Sequence, residues 1–60
     1  MKVGSRVVSV DGYMYEYYRG TVISINEDGS LIVRNDQDGE EVGDFCGNCV
    51  SEENFDSGNF

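Results

Sequence analysis

Histidine and proline are absent from this sequence of 60 residues, basic residues number four, cysteines two, and no apolar run is long. Without histidine, the most common general base and the most common nitrogen ligand of zinc are both missing. No phosphate-binding glycine loop is present, and no hydroxyl or thiol has a base beside it, so catalysis is not expected and neither is a cofactor. No stretch is long and apolar enough to cross a bilayer as a helix, and the opening Met1-Lys2-Val3-Gly4 lacks the apolar core of a signal peptide. The expected location is therefore the cytoplasm, that of a host cell if the protein is viral, with no membrane partner. Two cysteines in that compartment are expected as reduced thiols and not as a stabilising disulfide.

The shortage of basic residues is matched by twelve acids, for a net charge of −8. Direct nucleic-acid binding is not expected of such a chain, because neutralising phosphates needs a basic patch. The acids are also segregated. Residues 1–26 hold Lys2, Arg6 and Arg19 against Asp11 and Glu16, whereas residues 27–60 hold Arg34 against ten acids. One end or face of the folded chain should be intensely negative.

Hydrophobic residues make up 38% of the chain, enough for one small folded domain, and no window repeats with helical period. Asp-Gly pairs at Asp11-Gly12, Asp28-Gly29 and Asp38-Gly39 mark tight turns. Between and around them lie runs rich in β-branched and aromatic residues: residues 5–10, 17–25 and 31–34. A fourth strand is expected at Glu40-Glu41-Val42, a helical turn over residues 43–48, and a last strand at Cys49-Val50-Ser51. Five short antiparallel strands predict an all-β fold closed as a small barrel over residues 1–51, with Val7, Val22, Ile25, Leu31 and Val33 as its core. Gly20 is expected where a side chain would collide with a crossing strand. Residues 52–60 have no pattern and are expected as a flexible acidic tail unless Phe55 or Phe60 docks.

The pattern Gly4-x-x-Val7, then Tyr17-Tyr18-Arg19-Gly20-x-Val22-x-x-Ile25, then Leu31-x-Val33 and Asp38-Gly39-x-Glu41 resembles the Tudor and KOW branches of the SH3-like barrel superfamily. The likeness covers residues 4–50 and implies fold more than function. Its Tudor side implies an aromatic cage for a methylated ammonium. Tyr18 matches one cage position, while the others fall near Asp11, Asn35 and Asp38. Its KOW side implies a contact with the gene-expression machinery, and Gly20 stands where that motif has its glycine. A shorter segment, Tyr15-Glu16-Tyr17-x-Arg19-Gly20, is similar to one in small acidic phage inhibitors of uracil-DNA glycosylase.

Two further patterns bear on metals. Asp36-x-Asp38-Gly39 resembles part of a calcium loop, but Arg34 and Phe45 stand where that loop needs ligands. Cys46-Gly47-Asn48-Cys49 has the spacing of zinc knuckles and redox sites, yet one chain offers no further cysteine or histidine. Four thiolates would require two chains, so a homodimer stays open. The simpler reading makes both cysteines small apolar residues at the last turn, with no metal bound.

Every tyrosine lies in Tyr13-Met14-Tyr15-Glu16-Tyr17-Tyr18. A chain this small cannot bury four such rings, and exposed aromatics beside acids are the composition of an interface hot spot. The expected partner surface therefore comprises Tyr13, Tyr15, Glu16, Tyr17 and Tyr18 together with Asp36, Asp38, Glu40 and Glu41. Carboxylates along strands can stand in for phosphates, and aromatics can fill pockets that stack bases. The expected function is protein binding, as a phage-type nucleic-acid mimic that inhibits a basic DNA- or RNA-handling protein. The alternative is an adaptor of Tudor or KOW type that docks a peptide or a component of the gene-expression machinery.

Overall fold

The computed structural model describes residues 2–10 and 17–59, with all of their side chains except that of Cys46. Five strands, β1 (Arg6–Ser9), β2 (Tyr18–Ile25), β3 (Ser30–Asn35), β4 (Glu41–Phe45) and β5 (Cys49–Ser51), form one antiparallel sheet in the order β4-β3-β2-β1-β5. A 3-10 turn at Cys46–Asn48 links β4 to β5, and a short helix, α1 (Glu52–Asp56), follows directly.

Both described Asp-Gly pairs make hairpins by the same chemistry. Gly29 and Gly39 take φ of 89° and 74°, a region costly for residues with a Cβ. The aspartate before each glycine accepts from the amide two residues after itself: Ser30 N–H to Asp28 Oδ1 and Glu40 N–H to Asp38 Oδ1, each 2.9 Å. The hairpins fix the registers that place Leu31 opposite Ile25 and Val33 opposite both Val22 and Val42.

The sheet is rolled. β1 and β4 are three strand spacings apart, about 14 Å if flat, yet the short side chain of Ser9 donates to Asp44 Oδ2 at 2.7 Å. Val7, Val22, Leu31, Val33 and Cys49 fill the concave side, with Tyr18 packed against them. Gly20 makes the tight curvature possible, since an added Cβ would meet the Arg34 carbonyl oxygen and come within 2.5 Å of Val33 Cγ1. A register shift between Val22 and Ser24 adds a bulge that tightens the bend of β2. The closure expected of a barrel is not made, because β4 and β5 remain the two ends of the sheet.

Four expectations need correction. Residues 43–45 continue β4 instead of starting a helical turn, since extended pairing with β3 carries Asp44 onto Ser9 and Tyr18. Ile25 shares the core face with Leu31 but sits at the mouth of a hairpin, 42% exposed. Val8, not among the expected core residues, is buried. Lastly, residues 52–56 form α1 and not a loose tail. Ser51 caps it by accepting from Asn54 N–H at 3.1 Å, Glu52 and Glu53 occupy its positive first turn, and Gly58 ends it at φ 76° with Asn59 N–H bonded to Asn54 C=O at 2.8 Å. The helix packs on β1 and β5, and this explains Val8, which pairs with Arg19 and Val50 on that side of the sheet.

Candidate partner-binding surface

Tyr13, Tyr15 and Glu16 lie outside the described residues, so the surface is built here from the remainder of the expected set. Just before β2, Tyr17 is 57% exposed, and its ring meets Phe55 of α1 edge to face at 5.7 Å. Tyr18, the next residue, points the other way. Its ring packs on the core and its hydroxyl donates to Asp44 Oδ2 at 2.6 Å, so its polar end serves the fold instead of standing open to a partner.

Asp44 joins strands that are distant in the sheet. One carboxylate oxygen accepts from Ser9 and Tyr18, and the other accepts from Phe45 N–H at 2.8 Å and Asn48 Nδ2 at 3.3 Å. Partial burial alone would raise its pKa, but the donors from Tyr18, Ser9, Phe45 and Asn48 together outweigh burial and hold the group below the usual aspartate range. The Tyr18 phenol moves upward, first through burial and then through the adjacent carboxylate, which keeps it protonated as a donor.

All three arginines are engaged by carboxylates. Arg6 grips Asp36 with both terminal nitrogens, one bond being 2.7 Å, and also reaches Glu52 at 3.1 Å and Thr21 at 2.9 Å. Arg19 bonds Glu52 at 3.2 Å and Asp56 at 2.8 Å, with its guanidinium 5.5 Å from the Phe55 ring centre. Arg34 pairs more loosely with Glu41, at 3.6 Å. The Arg6 hydrogen bonds hold Asp36 below its ordinary pKa, Arg6 and Arg19 do the same for Glu52, and Arg19 for Asp56. Both guanidiniums are shifted upward by the same bonds.

The expected residues are thus only partly assembled. Asp36 N–H bonds the Arg19 carbonyl at 2.9 Å and draws the β3–β4 hairpin beside β2. Tyr17, Tyr18, Arg19, Asn35, Asp36 and Gln37 consequently line one concavity of about 330 Å³. Asp38, Glu40 and Glu41 lie farther along the hairpin and face solvent. Sequence reasoning missed α1, whose Glu52, Phe55 and Asp56 engage the arginines and Tyr17. The signal was present in Ser51-Glu52-Glu53, an N-cap residue followed by two acids, with Gly58 past the end. Among the described residues no three metal-ligating side chains converge, and no helix is long and apolar enough to cross a membrane. Cys49 is buried in the core.

No protein-family model, no curated protein and no solved structure matches this chain.

Proposed function

We propose that this chain is an SH3-like domain that binds protein, and that it acts as a nucleic-acid mimic by placing carboxylates in the basic groove of a DNA- or RNA-handling partner. The SH3-like reading is supported by the strand order, the 3-10 turn before the last strand, and the close approach at Gly20. One observation carries the functional reading. The arginines are absorbed by Asp36, Glu41, Glu52 and Asp56, which leaves the exposed carboxylates of Glu27 and Asp28 at one hairpin, and of Asp38 and Glu40 at the other, outside those ion pairs. The two hairpins flank the six-residue β3, so these clusters stand about 20 Å apart, close to the axial rise of six base-pair steps of duplex DNA. A surface of this kind attracts basic grooves at long range.

The second reading, a peptide adaptor, is favoured by the concavity that brings Tyr18 beside Asn35, two positions that the Tudor resemblance places around its ligand. Capture of partners from host lysate, followed by challenge with duplex DNA or RNA, separates the two. The mimic predicts basic nucleic-acid-handling proteins that saturating nucleic acid displaces, with binding that weakens between about 0.05 and 0.5 M salt. Partners that bind through methylated or proline-rich peptides, or binding indifferent to both nucleic acid and salt, would overturn it.

A further inference from the structure

The sheet has two edges, and they are treated differently. β5 has only three residues and passes straight into α1. β4 has five, carries neither lysine nor proline, and is covered by no described element. Asn35 N–H bonds Glu40 C=O at 2.8 Å, and from that pair the antiparallel ladder alternates, so Val42 and Asp44 direct their backbone groups to β3 while Glu41, Gly43 and Phe45 direct theirs to the free edge. The Asp44 carboxylate caps the Phe45 amide. Among the described residues nothing pairs with the outward backbone groups of Glu41 and Gly43, which stay open to an added strand, whereas the Phe45 carbonyl starts the 3-10 turn that follows.

We infer that the β4 edge takes an extended, basic segment of a partner protein as a sixth strand, an inference that rests on the protein-binding reading above and names the surface it uses. Charge complementarity selects the occupant. Asp38, Glu40 and Glu41 lie at one end of the edge, and Glu27 and Asp28 lie beyond Ser30, which faces Phe45 at the other. Lysines or arginines at both ends of an incoming strand would meet carboxylates. Between the ends the character changes: Phe45 is 67% exposed, and around Gly43 there is open space where a Cβ would stand. A central apolar side chain of the added strand packs there, against the Phe45 ring and over the bare Gly43 backbone. A second copy of this chain has the wrong sign for the same edge, since each carries a net charge of −8.

The test uses the full chain, isotope-labelled, and the peptide Lys-Thr-Lys-Thr-Val-Thr-Lys-Thr-Lys with blocked ends. Saturable binding should slow amide exchange at Glu41 and Gly43 by about tenfold or more. A peptide with alternate backbone amides methylated should lose that protection while keeping its charge. Gly43→Lys, whose side chain enters open space and so preserves the fold, should weaken binding by about tenfold or more, and Gly43→Pro, which removes the outward amide, should do likewise. Failure of the peptide to protect the edge, equal binding of the methylated peptide, or edge protection that arises from self-association without peptide would overturn the inference. If Gly43→Lys still captures partners that nucleic acid displaces, the edge proposal falls and the mimic stands. Edge protection by the peptide alongside captured partners indifferent to nucleic acid supports the edge site and removes the mimic.

Discussion

The half of the sheet under α1 and the half formed by β3 and β4 handle charge in opposite ways. Under the helix, Arg6 and Arg19 each hold two carboxylates, Phe55 lies against Tyr17 and Arg19, and Val8 is buried. On the open half, Arg34 and Glu41 meet loosely in full view of solvent, and the hairpin acids other than Asp36, which Arg6 holds, project into water. A domain of this size cannot build a large core, and the helix adds a second small apolar layer where the chain also has cations to fasten it. Placing two of the three arginines there leaves the other half free to be negative. Charge segregation in the sequence thus becomes a division between a cohesive half and a presenting half.

The largest effect should come from the residue that both halves share. Gly20 faces Val7 of β1 and Asn35 of β3, and any side chain at 20 meets a backbone carbonyl that cannot retreat without breaking the β2–β3 ladder. Gly20→Val is expected to cost about 4 kcal/mol or more, which in a domain with about 5 kcal/mol of total stability unfolds much of the population. Circular dichroism with urea denaturation reads this directly. A cooperative transition with a midpoint near that of the parent would show that the two halves do not depend on a common close approach.

Next in size is the helix. Phe55→Ala removes the ring that touches Tyr17 and Arg19 and should destabilise by about 1 to 3 kcal/mol. Amide exchange should quicken at Val8 and Val50 well before it does along β3 and β4. Acid acts on the same half through Glu52 and Asp56, whose folded pKa values are depressed by Arg6 and Arg19. Groups of that kind contribute stability that is present above the unfolded carboxylate pKa of about 4 and is lost as pH falls through the lower folded value. Glu52→Gln should therefore be less stable than the parent near neutrality and converge toward it below about pH 4. A constant gap between the two at all pH values would mean that the ion pairs do not fasten the helix.

How far these features could be read from sequence differs by element. The hairpins were legible because Asp28-Gly29 and Asp38-Gly39 carry their turn chemistry locally. Gly20, Val7, Val22, Leu31 and Val33 followed from strand alternation. Barrel closure was expected and is not made, because whether the end strands of a sheet pair leaves no local mark in the sequence. Asp44 read as part of a turn, since its real role depends on Ser9 and Tyr18 arriving from two other strands. The helix was masked by polarity: Glu52, Glu53 and Asp56 look like a solvated tail until Arg6 and Arg19 are known to lie opposite them. For the candidate surface, residue types were legible and their engagement was not. Asp36 was read as an open carboxylate and is in fact clamped by Arg6, and Tyr18 was read as a contact and is bound to Asp44.

The smallest effect on stability, and the sharpest check of the division, is expected at Arg34. Its bond to Glu41 is 3.6 Å long and exposed, the kind of pair that contributes about 0 to 0.5 kcal/mol. Arg34→Gln should leave the denaturation midpoint almost unmoved, and 0.5 M salt should erase what difference there is, because screening at about that concentration weakens exposed pairs first. Binding should respond in the other direction. The substitution releases Glu41 and takes the net charge from −8 to −8 − 1 = −9, so association with a basic partner should quicken at low salt while dissociation changes little. Arg19→Gln, with the same change in charge, should instead loosen α1, because that guanidinium holds Glu52, Asp56 and Phe55 together. Comparing the two variants by stopped-flow association and by denaturation separates charge from cohesion. Equal losses of stability in both would mean that the open half is held by its ion pair as firmly as the covered half, and the contrast between them would fail.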